Sequence, residues 1–423
     1  GDRLLWNALM ADVLFIGDDF TGASDCLATY ARYGWSTSLM VNPSPEMAGA
    51  TTFDAPGIPT DLRSLSPDDA RQQIGKLWPT IAKMNPRVIH YKVCSTFDSG
   101  PEIGSIGATV AELARRFAPD VVAVIGGQPS LRRYCAFGNL FAASLDGKIH
   151  RVDKHPVMSV HPVTPMTEGN LITHLSAQGL EGLQEGFLPE ISDTDAMVAK
   201  LREGPVLLDA VSNEDLAHVG RALKAAGGRQ LLIGSSSVAE ILAGAAPRQN
   251  VPAEVALPAS KRLFVFAGSR SSSTSAQIAA ATKYRMVELP PDALRSGSGL
   301  AETAGLLAEG HAVLAHLVPG ADYGVGPGAL SDLSVGFVST LLERVDVGYL
   351  GLAGGDTSSR ICGNLGFSAL DFWRQIGSGV CVCTTRHASP RRHDMRVMLK
   401  GGQMGEIGIF DRFLALKMPD GKN

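Results

Sequence analysis

Short apolar runs alternate with longer amphipathic stretches along most of the chain. The runs are rich in Val, Ile and Leu and have the length of buried strands, whereas the amphipathic stretches carry apolar residues at helical spacing. This alternation is typical of α/β proteins, in which helices cover a mostly parallel sheet. The strands that we predict are 13–16, 88–91, 121–125, 206–208, 231–233, 263–267, 287–289, 312–317, 349–353 and 397–400. The helices with the clearest periodicity are 106–117, 214–226, 301–309 and 333–345.

A stretch without periodicity separates two series of strands. Residues 244–252 and 258–260 are rich in proline, glycine and small side chains, which is typical of a linker. A chain of 423 residues is also longer than one hydrophobic core usually supports. We therefore predict two α/β domains, 1–245 and 260–423, each with a mostly parallel sheet flanked by helices.

Composition and charge narrow the classes of partner. The formal net charge is −4 and 19% of the residues are charged, so nothing favours a nucleic acid or an anionic membrane surface. No apolar run has the length of a membrane span, and the first residues lack the pattern of a signal peptide. The six cysteines are scattered apart from Cys381 and Cys383, which we interpret as core thiols. We expect a cytoplasmic protein.

Two adjacent carboxylates follow the first predicted strand. Residues 17–25 read GDDFTGASD, with Asp18 and Asp19 directly after the strand and Gly22 one turn later. Adjacent carboxylates are costly unless a cation or hydroxyl groups meet them. Glycine lets a ligand approach the backbone closely. Because ligands of open α/β sheets bind at the carboxyl ends of strands, we predict part of a ligand site here.

A second polar loop follows the strand at 88–91. Residues 92–99 combine a lysine, three hydroxyl side chains and a carboxylate. Hydroxyls and carboxylates suit a polyhydroxylated substrate, and lysine supplies a charge for a carboxylate or a phosphate. The alternative is a helix start capped by Asp98 or Ser99.

Two further loops of the first half carry polar side chains. Residues 126–130 precede Arg132 and Arg133, and a proline-rich loop contains His155 and His161. Two histidines without a third ligand can hold a metal, but structural histidines are the commoner explanation in such a loop. We assign no metal ligands.

Three glycine-containing loops follow predicted strands in the second half, at 268–274, 354–358 and 401–405. Backbone amides at a turn that opens a helix form an anion site suited to phosphates. Neither a Walker A loop nor a Rossmann fingerprint is present, but three such loops in one half favour a nucleotide. Asp356 can hold a Mg²⁺ that bridges phosphates, or accept a hydroxyl proton. The alternative is a helix cap at Asp356 or Thr357.

Taken in order, four segments resemble the four-carbon acid sugar kinase family: 18–22 (DDFTG), 92–99 (KVCSTFDS), 161–166 (HPVTPM) and 354–358 (GGDTS). The resemblance spans nearly the whole chain. It implies an N-terminal acid-sugar-binding domain, a C-terminal nucleotide-binding domain and an active site in the cleft between them. It also implies that ATP, with Mg²⁺, phosphorylates the terminal C4 hydroxyl of an acid such as threonate, erythronate or 3-oxo-tetronate.

The resemblance implies roles for individual residues. The substrate side would consist of Asp18, Asp19, Lys92, Ser95, Thr96 and Asp98. The ATP side would consist of Ser269, Gly354, Gly355, Asp356, Thr357, Ser358, Gly401 and Gly402. Asp356 is the first candidate for the catalytic base and Asp19 is the second. Many relatives have Lys-Ser-Gly-Asn-Phe-Gly in place of residues 400–405, and some have Lys-Thr-Asp-Ser-Thr in place of residues 92–96.

Two other function classes stay open. A non-catalytic sugar-acid sensor needs only the substrate side, whereas polar loops are present in both halves. A sugar-acid isomerase of the same architecture would be indifferent to ATP. The missing dinucleotide fingerprint argues against a dehydrogenase. We expect small-molecule partners only, and a homodimer as the commonest assembly.

Overall fold

The computed structural model describes residues 13–50, 52–144, 146–161 and 163–417. Residues 1–12 and 418–423 of the predicted domains, and Pro162 of the HPVTPM segment, lie outside the described residues. The chain divides into two compact units. The first unit extends to Thr37 and continues from Pro43 to Asn250, and the second contains Ser38–Asn42 and the chain from Val251 onward.

The sheets are formed by strands that are numbered here in chain order. They are β1 (Val13–Gly17), β2 (Thr37–Met40), β3 (Ala55–Pro59), β4 (Val88–Lys92), β5 (Val121–Ile125), β6 (Arg133–Ala136), β7 (Asn139–Ala143), β8 (Ile149–Arg151), β9 (Gln184–Gly186), β10 (Val206–Leu208), β11 (Gln230–Gly234), β12 (Arg262–Ala267), β13 (Arg285–Leu289), β14 (Val313–Leu317), β15 (Val347–Ala353), β16 (Ala369–Gly377), β17 (Val380–Arg386) and β18 (Arg396–Lys400).

The helices are numbered in the same way. They are α1 (Phe20–Arg32), α2 (Pro45–Ala50), α3 (Pro67–Met84), α4 (Ile106–Phe117), α5 (Leu171–Ser176), α6 (Thr194–Glu203), α7 (Asn213–Ala226), α8 (Ser237–Gly244), α9 (Ser272–Ala280), α10 (Pro291–Ser296), α11 (Ser298–Ala308), α12 (Pro327–Arg344), α13 (Gly355–Asn364) and α14 (Ile409–Ala415). No helix in the described ranges is long and apolar enough to cross a membrane.

The first unit contains a parallel sheet with the strand order β3-β1-β4-β11-β5-β10-β9. Every neighbouring pair in this series is parallel. All residues of β1, β4 and β11 are buried. Burial on both faces explains why these strands read as continuous apolar runs rather than as alternating ones. A separate antiparallel sheet, β6-β7-β8, follows β5 in the chain.

The second unit contains a mixed sheet. Strands β13, β14, β12, β15 and β18 are neighbours in that order and run parallel. Strands β17, β16 and the residues Ser38 to Met40 of β2 extend the sheet in antiparallel pairs. Cys381 and Cys383 are buried on β17 as free thiols.

The α/β class and the predicted strands and helices are confirmed, most of them within a few residues at their ends. The helix predicted at 333–345 begins earlier, at Pro327. The sequence analysis did not find the small β6-β7-β8 sheet or the β16-β17 hairpin. It also did not place 38–42 with the second unit, because a single four-residue strand carries no sign of its pairing partner. The contiguous boundaries 1–245 and 260–423 remain a prediction.

Candidate functional site

The first unit has a switch point in its strand order. Strand β1 has β3 as its neighbour on one side and β4 as its neighbour on the other. At such a point the loops that follow neighbouring strands separate and leave a crevice at the carboxyl ends. The residues that follow β1 and β4 are Asp18 and Val93, and the backbone N–H of Asp18 donates to the carbonyl of Lys92 at 2.9 Å. The two predicted polar loops of the first half therefore meet at one place.

The two adjacent carboxylates share one arginine. Arg63, in the loop after β3, donates from Nε and Nη2 to the two carboxylate oxygens of Asp18 at 3.1 and 2.9 Å. Its Nη1 lies 2.9 Å from Oδ2 of Asp19. Burial raises the pKa of Asp18, and the charge of Arg63 opposes that rise. Sequence analysis missed Arg63, although two adjacent carboxylates already indicated a cation or hydroxyl groups nearby.

Asp19 also caps the helix that follows. Its Oδ1 accepts a hydrogen bond from the backbone N–H of Gly22 at 2.6 Å. A Cβ atom at Gly22 would lie 2.5 Å from Asp19 Oδ1 and 3.0 Å from Lys92 Nζ. Glycine is thus required here by the approach of two side chains of the chain itself, and the start of α1 is fixed against β4.

The loop after β4 is closed by hydrogen bonds within itself. The buried Lys92 donates from Nζ to the carbonyl of Val93 at 2.9 Å. Thr96 donates to Asp98 Oδ1 at 2.6 Å, and Cys94 Sγ lies 3.1 Å from the Thr96 hydroxyl. Ser95 is half-buried beside them. The structure therefore brings Lys92 and the loop hydroxyls close to Asp18.

The alternative of a helix cap at Asp98 or Ser99 is wrong. The next helix, α4, begins at Ile106, and its cap is Ser105, which accepts from Ala108 N at 3.1 Å. Residue Phe97 has φ of 56°, in the left-handed region that side chains other than glycine rarely adopt.

Buried polar groups from another element hold this strained loop. Ser99 Oγ donates to the Phe97 carbonyl at 2.8 Å and lies 2.9 Å from His174 Nε2. Gln178 Nε2 donates to Ser99 Oγ at 2.8 Å. Burial lowers the pKa of His174, which favours its neutral form. A strained backbone persists only where its surroundings hold it, so this loop is rigid before any ligand binds.

In the second unit, the three predicted glycine-containing loops converge. They follow β12, β15 and β18, which are adjacent parallel strands. The backbone N–H groups of Gly268 and Ser269 both donate to the Ala353 carbonyl, at 2.9 and 3.0 Å. Gly354 N donates to the Lys400 carbonyl at 2.9 Å. Backbone hydrogen bonds thus join all three loops at the carboxyl edge of one sheet.

The helix α13 begins with free backbone donors. Its N-cap residue is Gly354, at φ of 125°, and no side chain caps the helix. The alternative of a cap at Asp356 or Thr357 is therefore wrong, because both lie inside the first turn. Asp356 is exposed there, and Ser358 Oγ donates back to the Gly354 carbonyl at 2.5 Å. Uncapped N–H groups and the helix dipole together suit an anion.

A buried lysine supports the third loop. Lys400 Nζ donates to Thr274 Oγ1 at 3.1 Å and to the Gly401 carbonyl at 2.9 Å. The Gly402 carbonyl accepts from Ser271 Oγ at 2.6 Å and from Thr274 Oγ1 at 2.8 Å. Burial lowers the pKa of Lys400 to about 8. No carboxylate in the described part of the chain pairs with this ammonium group, which the sequence analysis did not include in the site.

Ser269 and Gly402 are also in contact. A Cβ atom at Gly402 would lie 2.6 Å from Ser269 Oγ.

The two histidines of the proline-rich loop in the first unit make hydrogen bonds within that loop. In His155 and in His161, Nδ1 accepts hydrogen bonds from the backbone N–H groups two and three residues onward. Within the described ranges, no three His, Cys, Asp or Glu side chains form a group that could hold a metal ion.

Two family models match the chain. The model described as a sugar-binding N-terminal domain matches residues 13–242, and the model described as a nucleotide-binding C-terminal domain matches residues 264–410. The chain is also 32% identical to 3-oxo-isoapionate kinase of Paraburkholderia graminis, over 94% of this chain and 92% of that protein. The chain belongs to the four-carbon acid sugar kinase family. It is a sugar-acid kinase, and the sensor and isomerase alternatives are set aside.

One further relative and one solved structure are consistent with this family. The kinase is 28% identical to 3-oxo-tetronate kinase of Methylobacterium radiotolerans, over 94% of this chain and 97% of that protein. A solved structure of a Haemophilus influenzae protein has the same fold, with a TM-score of 0.75 at 22% identity, over 96% of this chain and 100% of that chain. At this identity the likeness supports the fold alone.

Proposed function

We propose that this kinase transfers the γ-phosphoryl group of ATP to the terminal C4 hydroxyl of a four-carbon acid sugar, and that 3-oxo acids are its first candidate substrates. The observation that carries the proposal is the rigid cluster of Asp18, Asp19, Arg63 and Lys92 at the switch point of the first unit. Preorganised carboxylates and cations suit an acceptor that has several hydroxyl groups and a charge. Two relatives are named as kinases of 3-oxo acids.

The acceptor's hydroxyl groups would bind to the carboxylate side of this cluster. Asp18 and Asp19 each keep oxygen lone pairs beyond those used by Arg63, and Ser95, Thr96 and Asp98 add further donors and acceptors. Because Arg63 and the cap at Gly22 fix the carboxylates, little order has to be created when the substrate binds.

The second unit fits a nucleotide. The free N–H groups of residues 355–357 and the Ser269 hydroxyl suit phosphate oxygens. The buried ammonium group of Lys400, whose N–H groups are held by Thr274, Gly401 and Gly402, adds positive charge behind the third loop. Glycine at position 402 lets the Ser269 hydroxyl approach its backbone, because a Cβ atom there would lie 2.6 Å from Ser269 Oγ. Asp356 is one carboxylate at the same edge, and Mg²⁺ commonly takes only one or two carboxylates beside substrate phosphates. ATP supplies the phosphoryl group.

Asp356 is the first candidate for the base that accepts the hydroxyl proton. Its carboxylate is exposed at the start of α13, whereas that of Asp19 already accepts from Gly22 and contacts Arg63. Phosphoryl transfer depends mainly on in-line positioning and charge stabilisation, so one carboxylate in the correct place is sufficient. We also infer a cytoplasmic homodimer with small-molecule partners and no nucleic acid.

A coupled assay of ADP formation tests this function. The wild-type protein is screened with threonate and erythronate in both enantiomeric forms, with their 3-oxo derivatives, and with no acid as the control. We expect acid-dependent ADP release, and phosphorus-coupled NMR of the product should place the phosphate on C4. ADP release that is independent of every acid, or a phosphate on another carbon, would contradict the proposal.

A further inference from the structure

The carboxylate group of an acid sugar needs a cation that is not already neutralised. In the first unit, Arg63 is shared by two aspartates, Asp18 and Asp19. The charge of Lys92 already acts on Asp18, whose pKa it lowers against the effect of burial. Neither group therefore has its full charge available for a substrate carboxylate.

Arg133 is a third cation beside the same loop. It is half-buried at the first position of β6, and it has no ion pair with a carboxylate in the described ranges. Burial lowers its pKa, while Cys94 and Asp98 of the loop after β4 raise it, so both groups lie within electrostatic range. An arginine remains protonated at neutral pH even after such a shift.

One edge of the Arg133 guanidinium group is vacant. Nη1 donates to the carbonyls of Leu131 and Arg132, at 2.9 and 3.4 Å. Nε is buried without a hydrogen-bond partner. Both hydrogen bonds from the guanidinium group to the described residues come from Nη1 and not from Nη2. Nε–H and Nη2–H are two parallel donors at the spacing of the two oxygens of a carboxylate. The vacant edge thus has the geometry of a bidentate carboxylate site.

A second buried polar group without a partner belongs to the residue that is paired with Arg133. Gln128 and Arg133 exchange two backbone hydrogen bonds, at 2.9 and 3.1 Å, and form an antiparallel bridge. The side chains of such a directly opposed pair project to the same face. Gln128 Oε1 is buried without a partner. The other end of this amide, Nε2, donates to Glu240 Oε1 at 3.3 Å. The two opposed residues thus each carry one buried polar atom without a partner, and each such atom would be costly without a ligand.

The backbone at Arg133 is held firmly. Asp209 accepts hydrogen bonds from the N–H groups of Phe137 and Gly138, at 2.7 and 3.0 Å, in the turn between β6 and β7. Cys135 exchanges two backbone hydrogen bonds with Ala210. The strand that carries Arg133 is therefore fixed before a ligand binds, which lowers the entropic cost of binding.

We propose that Arg133 binds the substrate carboxylate through Nε and Nη2, and that Gln128 Oε1 accepts a hydrogen bond from a neighbouring substrate hydroxyl. This inference rests on the proposed function and assigns to Arg133 the selection of acids over uncharged polyols. Arg63 and Lys92 then serve the hydroxyl end of the substrate.

The test compares the best acid of the panel with its alditol, which lacks the charge. In Arg133→Met, we expect kcat/KM for the acid to fall on the order of a hundredfold. The value for the alditol should stay within about twofold, because the alditol has no carboxylate to lose. Arg133→Lys should recover part of the loss, since lysine restores a positive charge but not the two parallel N–H donors of the guanidinium group. Arg132→Met is the matched control, because Arg132 is exposed and its Nη2 donates to the Gly147 carbonyl.

Equal losses for the acid and the alditol in Arg133→Met would show a merely structural role and overturn the inference. Thermal stabilisation by the acid alone, without ATP, separates this failure from that of the proposed function. If wild-type protein is stabilised by an acid but phosphorylates none, the kinase substrate is wrong, and retention of that stabilisation by Arg133→Met overturns the inference as well. If no acid stabilises the wild-type protein and none is phosphorylated, both proposals are wrong.

Discussion

In the first unit, the candidate site is lined by charged side chains that largely neutralise one another, whereas in the second unit it is lined by backbone amides, hydroxyls and one lysine. Arg63 joins two aspartates in the first, and Gly354 opens an uncapped helix in the second. A polyhydroxylated acid is distinguished from its isomers only by directional side-chain contacts. Phosphates are the same in every nucleotide, so backbone donors are sufficient for them. The two units thus solve different recognition problems with different groups.

The largest expected effect is that of Asp356→Asn. The substitution keeps the size of the side chain but removes its basicity, so we expect kcat to fall by about a thousandfold if Asp356 accepts the proton. Steady-state assays at saturating ATP and acid measure this. The control is Asp332→Asn, which removes a carboxylate paired with Arg360 on exposed helix faces. Turnover close to that of the wild type would exclude Asp356 and leave Asp19 as the base.

Arg63→Met tests whether charge balance holds the first unit's site together. The substitution leaves the buried Asp18 without its partner, and we expect the free energy of unfolding of that unit to fall by about 3 kcal/mol. Urea denaturation measures this. The matched control is Arg71→Met, which removes an exposed pair with Asp68 and should cost less than about 0.5 kcal/mol.

The double variant Arg63→Met/Asp18→Asn separates charge from packing. We expect it to recover part of the stability lost in Arg63→Met, because the unpaired carboxylate of Asp18 has been removed. No recovery would indicate that Arg63 contributes through packing rather than charge.

Gly354→Ala tests the backbone site of the second unit. At φ of 125° an alanine is strained, and its Cβ would lie 3.2 Å from Ser269 N. We expect KM for ATP to rise by about tenfold, with the KM for the acid little changed. The matched control is Gly363→Ala in the same helix. A Cβ atom at this position would meet open space, so both KM values should stay unchanged. A rise in the KM for the acid alone would contradict the division of roles.

The smallest expected effect is a pH dependence from Lys400. Its pKa is lowered from 10.5 to about 8 by burial, so it loses its charge as the pH rises through 8. We expect KM for ATP to rise a few-fold above that pH, and the rise to be absent in Lys400→Met. In Lys283→Met, which replaces an exposed lysine, the rise should persist.

Above pH 8 the protein should become more stable to unfolding, although its affinity for ATP falls. Between pH 8 and 10.5 the unfolded chain still binds the proton that the folded protein has released, so the free energy of unfolding rises with pH over this window. Lys400→Met should remove this rise too. A pH profile of KM that is the same in wild type and Lys400→Met would show that the charge of Lys400 does not act on the nucleotide.

Much of the fold follows from local pattern. Strands such as β1 and β5 are buried on both faces, and their continuous apolar runs are visible in the sequence. Strand β2 escaped prediction because its pairing with β16 joins residues more than 300 positions apart. Local residue patterns carry no information about such a partner.

Some residues of the candidate site could likewise be predicted from the sequence, whereas others could not. Asp18, Lys92 and the glycine loops stand directly after predicted strands, so their types and positions were visible. Arg63 stands in a loop and Arg133 at the start of β6, and strand order decides the neighbours of both. Their role depends on which of their hydrogen bonds are already made, and only side-chain geometry shows that.

The sequence by itself therefore determined the α/β class, many of the strands, some of the helices and the loops that carry chemistry, because burial and turn formation depend on nearby residues. The tertiary structure alone decided which loops adjoin one another within each unit, that Arg63 is neutralised by two carboxylates, and that Arg133 keeps a vacant edge. The physical reason is that charge pairing and hydrogen-bond satisfaction act through space between residues that are far apart in the chain.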